Sequence, residues 1–453
     1  MARLTPLTVR RAHSRIVYPY IIKAREGMLD RAIEAISTLE VSRVLENLEI
    51  LKRIRGILPF GTVLGMRVHR MFDMVSGIFP RDAIWEMENL KEIETIYPDE
   101  VKYALQFPTV PPEGVFTVGT ITFTSTKWVK KLVGAEEANE EGYGGRGIKV
   151  AVLDTGVRKT HDQLEGKVET YTTMKGQFVD DNGHGSWVAS AIAGREAVDS
   201  HLSRLSGKTV ICEGMAPESR IISIKCLGYV VGMGSDSTVI SAIERAIALG
   251  ADIINMSLGA ELECRGVLKP EDDPYYPVFQ KVTDMGIIPI AANGNSGPSE
   301  GTVNSPAWLP NVLAVGALDP IKGEVAEYSS RGPTPDGRVK PDCVAPGSYI
   351  DSGTVAMCDL AVDRVEQRFS PISGTSMSTP IAAGLIALMK QYVMETEPER
   401  GFTLKEVFEM LEKTAKEEKS NDYGWGLITW DRFKEYIGIE KPPERIGFKY
   451  QVA

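Results

Sequence analysis

Apolar residues in the middle of the chain come in short, unbroken blocks. Residues 148–153, 220–227, 251–258, 287–292 and 312–317 are rich in Val, Ile and Ala and do not alternate with polar residues. A strand with one wet face alternates, so runs of this length predict strands buried on both faces, as in parallel sheets covered by helices. Between the blocks, residues 237–249 and 278–285 repeat apolar side chains at helical spacing, and Gly250 and Gly286 follow them. Glycine accepts the left-handed conformation that ends a helix, so both stretches read as helices with defined stops. Alternating strand and helix predicts an α/β fold with a doubly wound, mainly parallel sheet, whose sites gather at the carboxyl ends of the strands.

The first hundred residues carry a different pattern. Residues 18–24 read as a strand, 27–40 as an amphipathic helix, the segments through Val68 as strands, 81–90 as a short helix and 93–101 as a last strand. That is a small α+β unit, expected over residues 1–105. Residues 106–123, with Pro108, Pro111 and Pro112, read as a linker or arm. A large domain over 124–437 and a short tail over 438–453 complete the expected organisation.

Three polar residues interrupt the apolar pattern where chemistry is expected. Asp154 follows the first block in Val-Leu-Asp-Thr-Gly, His184 stands in Asn-Gly-His-Gly-Ser, and Ser376 stands in Gly-Thr-Ser-Met-Ser-Thr-Pro. A neutral serine hydroxyl is a poor nucleophile; acyl transfer needs an imidazole to take its proton and a carboxylate to hold that imidazole. Ser376 opens a run of small and apolar residues that reads as a buried helix capped by the nucleophile, with Pro380 in its first turn. Backbone N–H groups there would stabilise a developing oxyanion. A second donor is required, and Asn293 and Asn295 are both available in Ala-Ala-Asn-Gly-Asn-Ser-Gly.

These motifs, in the order Asp, His, Ser, resemble the subtilisin-like serine proteases, or subtilases, over about residues 125–437, with a second likeness in the N-terminal hundred. The resemblance implies a serine endopeptidase that attacks extended polypeptides through an acyl-enzyme, with Asp154, His184 and Ser376 as triad and Asn295 as oxyanion donor. It implies that residues 1–105 are a ferredoxin-like propeptide. Such a segment assists folding, inhibits the enzyme from within the same chain, and leaves by self-cleavage between Leu105 and Gln106. Gly232, Met233 and Gly234 would form one substrate rail, and Ser257, Leu258 and Gly259 the other. The primary pocket would be walled by Ser257 to Gly259 and by Ala292, Asn293 and Gly294, with Ser296 at its mouth and Asn304 at its base. No acidic residue is expected there, which implies broad specificity without a demand for Lys or Arg. Asp236 would face the substrate three residues further upstream, opposite Lys102 of the propeptide tail. His161 matches a recurrent position with no catalytic role. No cofactor is implied for catalysis. The family's acidic calcium ligand nine residues after the triad aspartate is here Gln163, so that site is not carried over. The acidic run Glu261, Glu263, Glu271, Asp272 and Asp273 has the oxygen chemistry of a structural calcium site, yet a charged solvated loop is the plainer reading.

Composition narrows the alternatives. The chain of 453 residues has a net charge of −10, which disfavours a nucleic-acid partner. Residues 1–105 hold 16 Lys+Arg against 14 Asp+Glu, and the remainder 35 against 47. No apolar stretch is long enough to cross a bilayer, and no secretory leader is visible, so the compartment is left open between the cell interior and export by a leader absent from this chain. Five cysteines without metal-ligand spacing are expected as buried thiols, at least one of them unpaired. A non-catalytic peptide-binding module is disfavoured by the intact triad motifs, and an esterase by the lack of Gly-x-Ser-x-Gly.

Overall fold

The computed structural model describes residues 3–4, 17–25, 27–38, 67–69, 74–80, 87–98, 110–174, 179–228, 232–234, 236–262, 269–354 and 368–440. The chain forms two compact units, Met1–Ala104 and Leu105–Ala453. In the first, Val17–Ala24 pairs antiparallel with both Met74–Pro80 and Ile93–Pro98, Arg67–His69 extends one edge, and Arg3–Leu4 lies on the other. Leaving that edge pair aside, the strands in chain order lie 4-1-3-2, the arrangement of a ferredoxin-like sheet. Helix Leu29–Thr38 buries Ala32 and Ile36 and exposes Asp30, Arg31 and Glu34, as its amphipathic spacing requires. Most of the helix expected over 81–90 lies outside the described residues.

The second unit is built on one large sheet. Its strands are β1 (Lys149–Asp154), β2 (Val168–Thr172), β3 (Arg220–Lys225), β4 (Ile253–Met256), β5 (Ile288–Ala292), β6 (Leu313–Asp319), β7 (Glu324–Val325) and β8 (Cys343–Pro346). They lie in the order β7-β6-β5-β4-β1-β3-β2, with β8 also paired to β6, and all pairings except β6 with β7 are parallel. Chain connections leave β1 and β4 in opposite directions, so the crevice beyond their carboxyl ends is the switch point where such folds hold their sites.

Helices α1 (His184–Ala193), α2 (Asp236–Ala248), α3 (Tyr275–Asp284) and α4 (Thr375–Thr396) cover the sheet. Val150 and Val152 of β1 join a cluster with Trp187 and Val188 of α1 and Ile381 and Leu385 of α4. Ala151 and Leu153 face the other way, into a cluster with Ile243 of α2 and Phe279 and Val282 of α3. Both faces are therefore dry, which is why the strand sequences do not alternate. Gly250 and Gly286 follow α2 and α3 at φ +71° and +75°, the left-handed stops expected from the sequence. Cys212, Cys226 and Cys343 are buried free thiols; Cys264 and Cys358 lie outside the described residues.

Beside the sheet, strand Ile350–Gly353 pairs with Ile121–Ser125 and buries Asp351 completely. Cys212 Sγ donates to Asp351 Oδ2 at 3.1 Å. Burial, reinforced by the charge of Asp199, pushes the Asp351 carboxyl well above the usual carboxylate range, and burial likewise raises Asp199. A carboxyl raised by folding favours the folded state when protonated and loses that contribution as pH climbs from the unfolded value towards the folded one. Asp351→Asn is therefore expected to melt above the native protein at pH 8, with the gap closing towards pH 4. A native protein that melts higher at pH 8 would contradict this.

Candidate active site

Asp154 ends β1, and its carbonyl accepts Cys226 N and Leu227 N, the residues just after β3, at 3.0 and 3.1 Å. Its side chain is fully buried, and Oδ1 accepts Thr155 N at 2.7 Å and His184 Nδ1 at 2.8 Å. Gly183, at φ +98°, turns the chain into α1, so that His184 is the first helical residue. Burial works to lower the His184 pKa, but the charge and hydrogen bond of Asp154, with the charge of Asp180, outweigh it and leave the group raised. With Nδ1 donating to Asp154, the neutral ring carries its lone pair on Nε2.

Ser376 is the second residue of α4, and Gly374 holds the cap position, a correction to the expectation that the nucleophile caps the helix. Pro380 therefore falls in the second turn, not the first. A residue at that position would normally donate its N–H to the carbonyl four residues back, which is that of Ser376. Proline cannot, and the freed Ser376 carbonyl accepts Ser257 Oγ at 2.9 Å. Ser376 Oγ in turn donates to the Ser257 carbonyl at 3.1 Å, and Asn255 Nδ2 donates to Ser257 Oγ at 3.1 Å. Ser376 is thereby tied to the segment after β4. Among the described residues no hydrogen bond joins its hydroxyl to His184, a looseness common before substrate is bound.

Asn295 follows β5 and is exposed. Its Oδ1 accepts both Thr375 N and Thr375 Oγ1 at 2.9 Å, which fixes the orientation of the amide. A Cβ built on Gly374 would sit 3.6 Å from Asn295 Nδ2 and 3.7 Å from Ser376 N. Two N–H donors thus border one small space that only a glycine leaves open. Asn293 differs: it is fully buried and donates to the Ser330 carbonyl at 2.6 Å, so its side chain serves the scaffold and not the pocket wall expected of it. Asn295→Leu should lower kcat by about a hundred- to a thousand-fold, roughly 3–4 kcal/mol, with KM little changed; the size is the one known for loss of such a donor in subtilisin. Native turnover in a folded Asn295→Leu protein would rule out the donor role.

A cleft of about 430 Å³ opens beside this pair of motifs. It gathers His184, Gly232, Met233 and Gly234 on one side and Ser257, Leu258 and Gly259 on the other, with Asp236 among its walls. Gly234 approaches so closely that a Cβ would lie 2.2 Å from the Cys226 carbonyl. Met233 stands out at 66% exposure. Asn304 packs against both Gly259 and Gly294, within 3.1 and 2.8 Å of where their Cβ atoms would be, and Ala292 is buried on β5.

The sequence does not point to Leu227, Val239, Tyr275 and Pro306, which also line the cleft. Tyr275 donates its hydroxyl to Asp236 Oδ1 at 3.0 Å; a tyrosine 39 residues away gives no local signal. The pairing of the exposed Glu261 gives no local signal either. This residue lies opposite Asn304 in a two-residue strand pair and accepts Ser296 Oγ at 2.8 Å, so a carboxylate does stand beside Ser296, where none was expected.

Gln163 bears on the calcium question directly. Its Nε2 donates to the carbonyls of Arg195 and Cys212 at 2.8 and 3.1 Å, and its Oε1 accepts Gly353 N at 3.0 Å. N–H groups occupy the carbonyl oxygens a cation would collect, so these residues do not fit calcium. The acidic run is not simply a solvated loop either. Asp273 is buried and accepts Ser305 Oγ and Trp308 Nε1 at 2.7 Å each, while Glu263 lies outside the described residues. His161 is 3% exposed, bonded through Nε2 to the Arg368 carbonyl at 2.8 Å. Leu105 and Gln106 lie outside the described residues. Among those described, no helix is long and apolar enough to cross a membrane.

Residues 145–426 match the sequence pattern of the subtilase family. The serine protease AprX of Bacillus subtilis is 33% identical over 333 residues, covering 68% of this chain and 70% of that protein. Subtilisin DY of Bacillus licheniformis is 32% identical over 263 residues, 57% of this chain and 82% of the relative. The human membrane-bound transcription factor site-1 protease is 26% identical over 337 residues, 71% of this chain but only 28% of that longer protein.

Proposed function

Because the chain belongs to the subtilase family and is a subtilisin-like serine endopeptidase, we propose that Asp154, His184 and Ser376 form its triad and that Asn295 and Ser376 N bind the oxyanion. The observation that carries this is the 2.8 Å bond between His184 Nδ1 and a buried Asp154, together with two N–H donors around one space at Gly374. On substrate binding, the Ser376 hydroxyl leaves the Ser257 carbonyl and gives its proton to His184 Nε2 as Oγ attacks the scissile carbonyl. Asp154 stabilises the imidazolium, the oxyanion forms beside Asn295, and His184 returns the proton to the leaving amine. Water then repeats the sequence on the acyl-enzyme.

The substrate lies extended between Gly232, Met233 and Gly234 and Ser257, Leu258 and Gly259. Main-chain bonding gives affinity for many sequences, which supports broad specificity. The pocket beyond Ala292, Gly294 and Asn304 takes apolar and polar side chains; the exposed Glu261 beside Ser296 adds a bias towards cations without a demand for them. Upstream, Asp236, oriented by Tyr275, favours a basic side chain. An exposed pair is worth about 0–1 kcal/mol, so Asp236→Ala should cut that preference by up to about fivefold in a peptide library. An unchanged upstream profile would remove Asp236 from recognition.

Residues 1–105 act as the chain's own propeptide and inhibitor, cut after Leu105. The ferredoxin-like strand order of the first unit supports this reading. The test is intact mass against time for the native chain and Ser376→Ala, without added protease. Release of a fragment of about 105 residues from the native chain alone is expected; no cleavage, or cleavage of both, would contradict self-processing.

A further inference from the structure

Asp180 does not hydrogen-bond the His184 ring, yet it is bonded to both elements that carry the Asp154–His184 pair. It is 2% exposed. Its Oδ1 accepts Thr155 Oγ1 at 2.9 Å, Asn182 N at 3.1 Å and Gly183 N at 2.8 Å. Its Oδ2 accepts Ser186 N at 3.0 Å and Ser186 Oγ at 2.6 Å. Thr155 Oγ1, besides donating to Asp180, accepts Gly185 N at 2.9 Å. Thr155 directly follows Asp154, while Gly183, Gly185 and Ser186 flank His184 on either side.

A residue that only capped α1 would satisfy its first N–H groups and stop there. Asp180 caps the helix from three residues before Gly183 and also reaches the end of β1. Donor by donor, it fixes the distance between the carboxylate on the strand and the imidazole on the helix. All five contacts use it as acceptor, the role a carboxylate fills best when ionised.

We propose that Asp180 is a positioning residue for the reaction: it locks the first turn of α1 against the end of β1, so that His184 meets Asp154 in register, and its charge supports the imidazolium. The proposal rests on His184 being the general base. The other charged groups nearby are Asp154 on the ring, Asp181 and Arg158 beside α1, Lys225 on β3 and Asp236 in the cleft wall. Lys225 Nζ is fully buried and already donates to the Thr155 carbonyl at 2.6 Å and to Asp181 Oδ1 at 2.7 Å, so its charge is largely matched by Asp181. Asp154 and Asp180 are left as the anions that raise His184.

The test is the pH profile of kcat/KM, with kcat and KM separately, for native, Asp180→Asn, Asp180→Glu and Thr155→Val proteins. The base must be neutral to act, so activity rises with pH through the His184 pKa. Removing an anion lowers that pKa, and the acid limb of Asp180→Asn is expected to move down by about half a pH unit. Its kcat is expected to fall roughly 10- to 100-fold with KM within about twofold, because the geometry at the reacting atoms loosens while the substrate rails stay intact. Asp180→Glu, which keeps the charge, should hold the limb at its native position. Thr155→Val cuts the tie but keeps the charge, so kcat should fall with the limb unmoved. An unmoved limb in Asp180→Asn would make the residue a mere scaffold group and overturn the proposal. Native kcat in Thr155→Val would overturn it even if Asp180→Asn does not fold. Failure of the underlying reading looks different: His184→Ala would then retain both activity and the acid limb.

Discussion

His184→Ala is expected to abolish peptide hydrolysis, with kcat lower by about a million-fold, the size known for the same loss in subtilisin. The reason lies in the proton. Ser376 Oγ is a neutral hydroxyl bonded to the Ser257 carbonyl, and among the described residues no other imidazole is placed in the cleft. Without that base, the one acceptor bonded to the hydroxyl is the Ser257 carbonyl, which cannot take its proton as attack proceeds. The fold should survive, since His184 is the first residue of its helix and its side chain is 26% exposed. The loss should therefore appear in kcat at an unchanged melting temperature. Turnover within a hundredfold of native would contradict the assignment.

In the proposed mechanism a base without a nucleophile has no proton to take, so Ser376→Ala should cost about as much, and the double variant hardly more. Residual hydrolysis should remain above the uncatalysed rate, supplied by Asn295 and the substrate rails. The same change removes the hydroxyl that donates to the Ser257 carbonyl but leaves the Ser376 carbonyl bonded to Ser257 Oγ. The helix and rail thus stay joined, and peptide binding should persist at near-native affinity. Additive losses in the double variant, measured by kcat on one peptide, would mean that His184 and Ser376 serve separate steps.

Much of this is legible in the chain because the signals are local. Apolar blocks bound β1, β3, β4, β5 and β6 to within a few residues, since burial on both faces leaves no polar positions to blur their edges, whereas β2, half-buried and polar, carries no such block. Asp154, His184 and Ser376 each stand in a glycine-rich motif, where the backbone must turn sharply at the end of a strand or the start of a helix. What escapes depends on contacts between distant segments. Tyr275 meets Asp236, Glu261 meets Ser296, and Asp273 meets Trp308, pairings set by the packing of loops that no local pattern encodes. Asn293 and Asn295 look interchangeable in sequence. They part only when β5 ends, with Asn293 turned into the scaffold and Asn295 onto the helix N-terminus. Pro380 reads in sequence as a first-turn proline, whereas the start of α4 at Thr375 is decided by Gly374 and Asn295 and not by the apolar run.

The most direct test of Ser376 as an activated nucleophile is rapid mixing of the purified protein with an activated ester, followed by mass analysis of the acid-quenched chain. A burst of one leaving group per active chain is expected, with an acyl group on the peptide that contains Ser376, both absent in Ser376→Ala. A burst that survives in Ser376→Ala, or an acyl group found on another residue, would contradict that role.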